Sequence, residues 1–290
     1  MRCDFRAGLA VAVVLGSLSG SPASAARGPV PQPVERQERA PASASVLSEH
    51  HIEALDDMAL QAQAEFLLER AINHYRGANE QIAKRAERWR GNITLNKRLN
   101  GLFVTALNSD DLGVRAAAIE LNLAALDLKK TSATIDGLEP DARGGAQVLR
   151  VNALWRIGLL GNRGVEPDRA FQILMGSIHD DNVNVRHWAV EGLAYLGTDD
   201  TIAPLLSVFR DDPSPVIRER AACSLAQSGM LSAKQRLTAV PSLLDLADDS
   251  SLDDQTRSWV FQALRDITGQ TLPRDATAWR RWYAARPIGR

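Results

Sequence analysis

Four oxygen-bearing side chains near the middle of the chain stand at the spacing of a calcium-binding loop. They are Asp180, Asn182, Asn184 and Glu191, which fit positions 1, 3, 5 and 12 of such a loop. Position 6 needs glycine for a tight turn, and here it is Val185. The apolar spacing that follows favours a helix over residues 185–195. We therefore expect no calcium site at this place.

A second group of potential metal ligands lies at the start of the first predicted helix. Its members are His50, His51, Glu53, Asp56 and Asp57. The group lacks the HExxH spacing of a zinc site, and acidic residues are common near a helix N-terminus because they favour the helix dipole. His179 and His187 lie eight residues apart with no third ligand nearby in sequence. The sequence predicts no metal site and no cofactor.

The chain carries none of the short motifs that mark the common catalytic sites. A nucleophile elbow, a phosphate-binding glycine loop and a paired-cysteine metal motif are all missing from the sequence. A triad assembled from distant segments is an alternative that sequence does not test. We predict that the protein is not an enzyme.

One pattern recurs five times: an aliphatic residue or threonine, then arginine, then alanine or valine three residues later. The arginines are separated by 35, 36, 32 and 39 residues; they are Arg115, Arg150, Arg186, Arg218 and Arg257. Steps of three and seven residues from each arginine place small and bulky apolar residues on one helical stripe. Glycines that suit the position after a helix end follow at Gly161, Gly197, Gly229 and Gly269. This spacing is typical of a two-helix repeat and predicts an all-α solenoid.

Acidic pairs precede several of the arginine-bearing helices, at 110–111, 180–181 and 211–212. A row of arginines could line an anion-binding groove. One arginine per repeat at a fixed place, with an acidic neighbour in the better copies, instead favours a structural role.

The segment from Asp180 to Leu193 resembles the second half of a HEAT repeat, and Thr201 to Leu206 resembles the first half of the next. The resemblance is strongest over 168–269 and weaker over 99–160. It implies an α-α superhelix of antiparallel helix pairs, with a hydrogen-bonded Asp–Arg ladder between successive units. The ladder members that it implies are Asp181 with Arg186, Asp212 with Arg218, and also Arg115 and Arg257.

The unit centred on Arg150 departs from this family pattern. Gly144 and Gly145 stand where the acidic residue should be, and the first helix is poor around 131–139. We expect a break or a bend at this unit. At the other end, Trp279, Trp282 and Tyr283 lie three and four residues apart and predict a capping helix, although stacking on sugar rings is an alternative.

The first 25 residues have the features of a secretory signal peptide. Arg2 and Arg6 precede an apolar run over 7–18, and small residues follow up to Ala25. The run has 12 residues, whereas a membrane-spanning helix needs about 20, so we expect cleavage and no transmembrane anchor in the mature chain. The expected location is the periplasm or the extracellular space.

The sequence then divides into five expected segments. They are a signal peptide at 1–25, a disordered proline-rich linker at 26–47, an N-terminal helical region at 48–108, HEAT-like repeats at 109–272, and a C-terminal capping helix and tail at 273–290.

The net charge excludes one class of partner and leaves others open. It is −1 for the whole chain and −2 after removal of Arg2, Asp4 and Arg6, so we expect no nucleic-acid partner. The architecture predicts a non-enzymatic scaffold that binds a protein or peptide on the concave surface lined by its second helices. The family resemblance leaves two alternatives: a tetrapyrrole-holding or lyase-like HEAT protein, and a HEAT-like DNA glycosylase.

Overall fold

A computed structural model describes residues 45–286. The predicted signal peptide, most of the predicted linker and the last four residues lie outside this range. The described part contains fifteen α-helices and no strand, so the predicted all-α fold is confirmed. The helices are α1 Glu49–Asp56, α2 Leu60–Ile72, α3 Ala78–Trp89, α4 Lys97–Leu107, α5 Leu112–Ala125, α6 Ser132–Gly144, α7 Gln147–Asn162, α8 Pro167–Met175, α9 Val183–Leu196, α10 Ile202–Asp211, α11 Pro215–Ala226, α12 Ala233–Thr238, α13 Val240–Asp248, α14 Asp254–Thr268 and α15 Ala276–Ala284. None of them is long and apolar enough to cross a membrane.

The end of the predicted linker is held against the first helices. The amide of Leu47 donates to the carbonyl of Arg76, and the amide of Arg76 donates to the carbonyl of Ser45, each over 3.0 Å. Leu47 is also buried in the core. The prediction of a disordered linker is therefore wrong for residues 45–47, because the chain there gains two backbone hydrogen bonds and an apolar contact.

The N-terminal helical region predicted at 48–108 begins with the two helices α1 and α2. Ser48 caps α1, since its side chain accepts a hydrogen bond from the amide of His51. The helix ends at Asp56 and Asp57, where two carboxylates face the negative end of the dipole. The chain then turns and restarts at Leu60.

Helix α5 packs against α2, α3 and α4. We call α1–α5 together the N-terminal module. The sequence pattern at Arg115 predicted that α5 belongs to the first repeat of the solenoid. Its packing differs from that prediction, because α5 makes its main contacts with the helices that precede it and few with α7.

The solenoid is built from antiparallel helix pairs between α6 and α14, and their second helices α7, α9, α11 and α14 stack side by side. The helix α6 is complete and contains Pro140, although we expected a poor helix in this unit. The helices α7 and α9 pack closely, and a Cβ atom built on Gly158 would lie 2.6 Å from the carbonyl oxygen of Gly192. Two facing glycines thus bring these backbones into contact.

Only part of the predicted set of helix-ending glycines has that role. Gly197 and Gly269 follow their helices in the left-handed conformation, with φ of 67° and 70°. Gly161 instead lies inside α7, and a Cβ atom there would be 2.6 Å from Leu196 and 2.8 Å from Ala170. The prediction for Gly161 is wrong because this glycine serves close packing within a longer helix.

The last helix covers the end of the solenoid, as predicted. Asp275 caps α15, which packs against α13. Trp279 is fully buried, and its indole nitrogen donates to the carbonyl of Pro273 over 2.9 Å. Tyr283 is 36% exposed. Packing therefore accounts for Trp279, which offers no face to a sugar ring.

Candidate protein-binding surface

Three arginines each form an ion pair with the aspartate of the next repeat. Arg186 donates to both carboxylate oxygens of Asp212, over 2.8 and 3.2 Å. Arg218 donates to Asp253 over 2.9 Å, and Arg150 pairs with Asp180. The pairs join α7 to the turn before α9, α9 to the turn before α11, and α11 to the turn before α14. They form a continuous ladder.

Two of the three ladder arginines, Arg186 and Arg218, also bind a carbonyl of their own turn. Nη1 of Arg186 donates to the carbonyl of Asp180 over 2.8 Å, and Nη1 of Arg218 donates to that of Asp212 over 2.8 Å. Asp181 contributes its carbonyl to Arg186 at 3.3 Å, while its side chain is exposed. The expected pairing of Asp181 with Arg186 and of Asp212 with Arg218 is therefore made through the backbone, because each arginine head reaches forward to the next turn.

The ladder ends at both outer arginines. Arg257 donates to the carbonyls of Asp249 and Leu252, and within the described residues no further unit of the repeat pattern follows α14. Arg115 precedes the turn at Gly144 and Gly145, where no carboxylate is available. It bonds instead to backbone carbonyls, so neither end arginine has the ion pair that defines the ladder.

Arg115 reaches the end of α11. Its Nη2 donates to the carbonyl of Gln227 over 2.8 Å, and its Nη1 donates to that of Gly229. Arg236 binds the same segment from the other side. Its guanidinium donates to the carbonyls of Ser224, Leu225, Ser228 and Leu231. Two cations thus satisfy the free carbonyls at the negative end of this helix.

Both guanidinium groups are buried. Burial, with a smaller contribution from neighbouring Arg115, lowers the pKa of Arg236 to about 10. Burial likewise lowers the pKa of Arg115. Sequence analysis missed Arg236, which lies outside the repeat pattern, and the available signal was the capping box at Ser232 and Gln235 just before it.

These contacts place the N-terminal module across the C-terminal ends of the second helices. Arg115 meets the turn after α11, whereas Glu120 of the same helix lies 3.6 Å from Arg163, just after α7. The helix α5 therefore spans from the end of α7 to the end of α11. This edge of the solenoid is covered by the protein itself.

A buried charged cluster connects α9 to α11. Nη2 of Arg220 donates to Glu191 over 2.8 Å, and Nε2 of His187 lies 3.5 Å from the same carboxylate. Burial lowers the pKa of His187, partly opposed by Glu191. The cluster is an interhelical ion pair with an adjacent histidine.

The candidate calcium ligands point to different partners. Asp180 pairs with Arg150, Asn182 caps α9 by accepting from the amide of Asn184, and Glu191 pairs with Arg220. At the first helix, Asp56 lies 3.3 Å from Arg85, and the side chain of His51 bonds to Ser48. Within residues 45–286, no three histidine, cysteine or acidic side chains come together in a way that could hold a metal ion.

The second helices are less open than expected. In α9 every residue from Trp188 to Leu196 is buried, and in α11 every residue from Arg220 to Ala226 is buried. The prediction that these helices line an open concave surface therefore does not hold for α9 and α11, because neighbouring elements contact them on all sides.

Apolar side chains are exposed instead at the N-terminal ends of the second helices. Val148 of α7 is 51% exposed, Val183 of α9 is 43% exposed and Val216 of α11 is 64% exposed. We call the surface formed by these three valines and the turns at 179–182 and 211–214 the repeat edge. It lies opposite the edge that the N-terminal module covers, and it presents one valine in each of three successive repeats.

A groove of about 350 Å³ opens on the repeat edge. Its floor contains the Arg186–Asp212 pair and Val208, and its rim carries His179, Asp181, Asp211 and Pro213. The floor pair is internally neutralised, whereas the rim has two exposed carboxylates. Bonding to Arg210 is the main reason that the pKa of Asp211 lies below its usual value. The mouth of the groove therefore carries the carboxylate of Asp181, which has no ion pair within the described residues, and that of Asp211, which is paired with Arg210.

A family model described as HEAT repeats matches residues 135–226 and 173–265. No curated protein matches the chain. The matched region begins in α6 and ends in α14, so it contains the whole Arg–Asp ladder and leaves out α5. The helical pairs, their stacking and the ladder agree with this match, and residues 135–265 belong to the HEAT repeat family.

Proposed function

We propose that this protein is a non-enzymatic scaffold, exported to the cell envelope, that binds a protein or peptide partner. The observation that carries the proposal is the repeat edge, where successive repeats expose Val148, Val183 and Val216 beside an acidic groove. Solenoids present such extended surfaces because each repeat adds an equivalent patch. The buried charges support a structural role, since Glu191 pairs with Arg220 and the ladder arginines pair with the aspartates of the next repeat.

Export is proposed from the sequence of residues 1–25. Fusion of residues 1–47 to a phosphatase that is active only outside the cytoplasm should give active reporter. N-terminal sequencing of the exported product should begin at Ala26. Replacement of Ala23 and Ala25 by leucine should block cleavage, because bulky side chains are excluded at those positions. An inactive reporter would overturn the export proposal.

Binding is tested by affinity capture from envelope extract, with the chain from Ala26 as bait. The discriminating bait is a variant with Val183→Asp and Val216→Asp. Both positions lie in the first turn of a helix, where a carboxylate is favoured, so the variant should stay folded. The matched control is Val46→Asp, which also replaces an exposed valine, at a position outside the repeat edge.

We expect a protein that the wild type and the control capture and the variant does not, and that binds again when both proteins are purified. Equal capture by all three baits would contradict the repeat edge as the binding surface. Turnover of a substrate by the purified chain, abolished by a single substitution, would contradict the non-enzymatic role.

A further inference from the structure

We propose that the repeat edge binds an extended, basic segment of its partner, with a lysine or arginine side chain in the groove between Asp181 and Asp211 and aliphatic side chains against Val183 and Val216. This proposal rests on the proposed function and adds the chemistry and conformation of the ligand.

The groove has the composition that suits a long cationic side chain. Val208 on the floor and Pro213 on the rim supply apolar surface. The carboxylate of Asp181 forms no ion pair with any residue of the described chain, and the carboxylate of Asp211 is held by exposed Arg210, which donates to both of its oxygens, and by partly buried Ser207. Lysine and arginine bury an aliphatic stem while the charged head stays near water, so stem and head would each meet a matching surface.

The negative charge of the rim is unfavourable for an anion, which is the usual ligand of a helix N-terminus. Helix N-termini attract anions because of their free amides and the dipole. Here Asn182 already accepts from the amide of Asn184, and Asp212 accepts from that of Ser214. The positive ladder arginines are neutralised by their aspartates. The carboxylate of Asp211 is likewise paired with Arg210, so the charge left over at the rim is that of Asp181, which repels an anion and attracts a cation.

The spacing of the valines indicates an extended ligand. Val183 and Val216 begin neighbouring helices, and packed helices lie about 8–10 Å apart. A chain extended in the polyproline II conformation advances about 3.1 Å per residue with three residues per turn, so every third side chain faces the same way and roughly three residues of ligand span one repeat. A segment with an aliphatic residue at every third position and a basic residue between two of them would place its side chains on Val183, the groove and Val216 in turn.

The test is selection from a random dodecapeptide library with the folded chain from Ala26, followed by fluorescence anisotropy with the enriched peptides. We expect enrichment of lysine or arginine flanked by aliphatic residues. The first variant carries Asp181→Asn and Asp211→Asn, and the second carries Val183→Ser and Val216→Ser. The matched control is Asp200→Asn, an exposed acidic residue in the turn between α9 and α10.

Each edge variant should weaken binding of the enriched peptides at least tenfold, the control should leave it unchanged, and added salt should weaken the wild-type complex. Enriched peptides that bind the edge variants as tightly as the wild type would overturn this inference and leave the proposed function standing. Enriched peptides without basic residues would overturn it as well. If no selected peptide binds more tightly than the unselected library, both proposals are contradicted.

Discussion

Arg115 and Gln227 lie 112 positions apart in the sequence, yet Nη2 of the arginine donates to the carbonyl of the glutamine over 2.8 Å. The first residue belongs to α5 of the N-terminal module, and the second follows α11 of the solenoid. A contact of this kind fixes the module on the solenoid through the chain's own backbone. It also explains why an arginine without an acidic partner can be buried.

We predict that Arg115→Met loosens the N-terminal module from α11. Hydrogen bonds to charged groups contribute about 1.5–3 kcal/mol each, and the substitution leaves the carbonyls of Gln227 and Gly229 without their donor. Hydrogen exchange of the segment 227–231 should become faster, and the urea midpoint should fall. The control is Arg98→Met, whose side chain is 64% exposed in the same module. Unchanged exchange at 227–231 would contradict the role of Arg115.

The ladder pairs should differ in their contribution to stability. The side chains of Arg186 and Asp212 are 10% and 3% exposed, so Asp212→Ala leaves a buried cation unpaired and should lower the free energy of unfolding by about 3–5 kcal/mol. Asp253 is 53% exposed, and its loss should cost about 1 kcal/mol, largely as the cap of α14. Equilibrium urea unfolding of both variants measures the difference.

A second variant separates charge burial from the loss of contacts. Replacing both members of the inner pair, as Arg186→Met with Asp212→Leu, removes the unpaired charge and should recover much of the lost stability. Equal destabilisation by Asp212→Ala and Asp253→Ala would mean that burial does not set the strength of the ladder.

The contact between α7 and α9 should be intolerant of a single methyl group. In Gly158→Ala the new carbon would lie 2.6 Å from the carbonyl oxygen of Gly192, a backbone atom that cannot move aside cheaply. Overpacking of this kind costs about 1–3 kcal/mol. The matched control is Gly137→Ala in α6, where no atom lies within 4 Å of the new carbon. That change should stabilise the helix by about 0.5–1 kcal/mol. If both variants have a higher melting temperature than the wild type, the close contact between α7 and α9 is contradicted.

Sequence periodicity predicted the repeat correctly because the residues that carry it act locally. The arginine, the apolar stripe and the turn acids recur at fixed positions, and the helices α9, α10 and α11 follow them. The partner of each arginine is not local: the family resemblance implied a pair of Asp212 with Arg218, whereas the carboxylate of Asp212 binds Arg186 of the preceding unit.

The features that the sequence did not predict depend on contacts between residues far apart in the chain. Arg115 has the same flanking pattern as the ladder arginines, and only the missing acid at Gly144–Gly145 distinguished it. The contact between Gly158 and Gly192 could not be predicted, because a glycine within a helix does not show which backbone approaches it. The acidic groove combines Asp181 and Asp211 from two repeats, and their juxtaposition depends on how the helix pairs stack.

The cluster around His187 predicts a specific pH dependence of stability. Burial lowers the pKa of this histidine below its usual value, and the charged groups that face it are Glu191 on its own helix and Arg220 on α11. The native state therefore favours the neutral imidazole, whereas the unfolded chain takes up a proton with a pKa of about 6.5. The contribution of this histidine to the free energy of unfolding should be fully present above about pH 6.5. It should decrease as the pH drops below that value, until the native histidine is protonated as well.

We expect His187→Gln to show a weaker loss of stability between about pH 7 and pH 5 than the wild type, because the linked proton uptake by the unfolded chain is removed. Urea midpoints measured at intervals across this range give the slope for each protein. The matched control is His50→Gln, which removes an exposed histidine on α1 and should leave the slope unchanged. If His187→Gln keeps the full wild-type slope, the buried imidazole is not the group whose protonation limits stability.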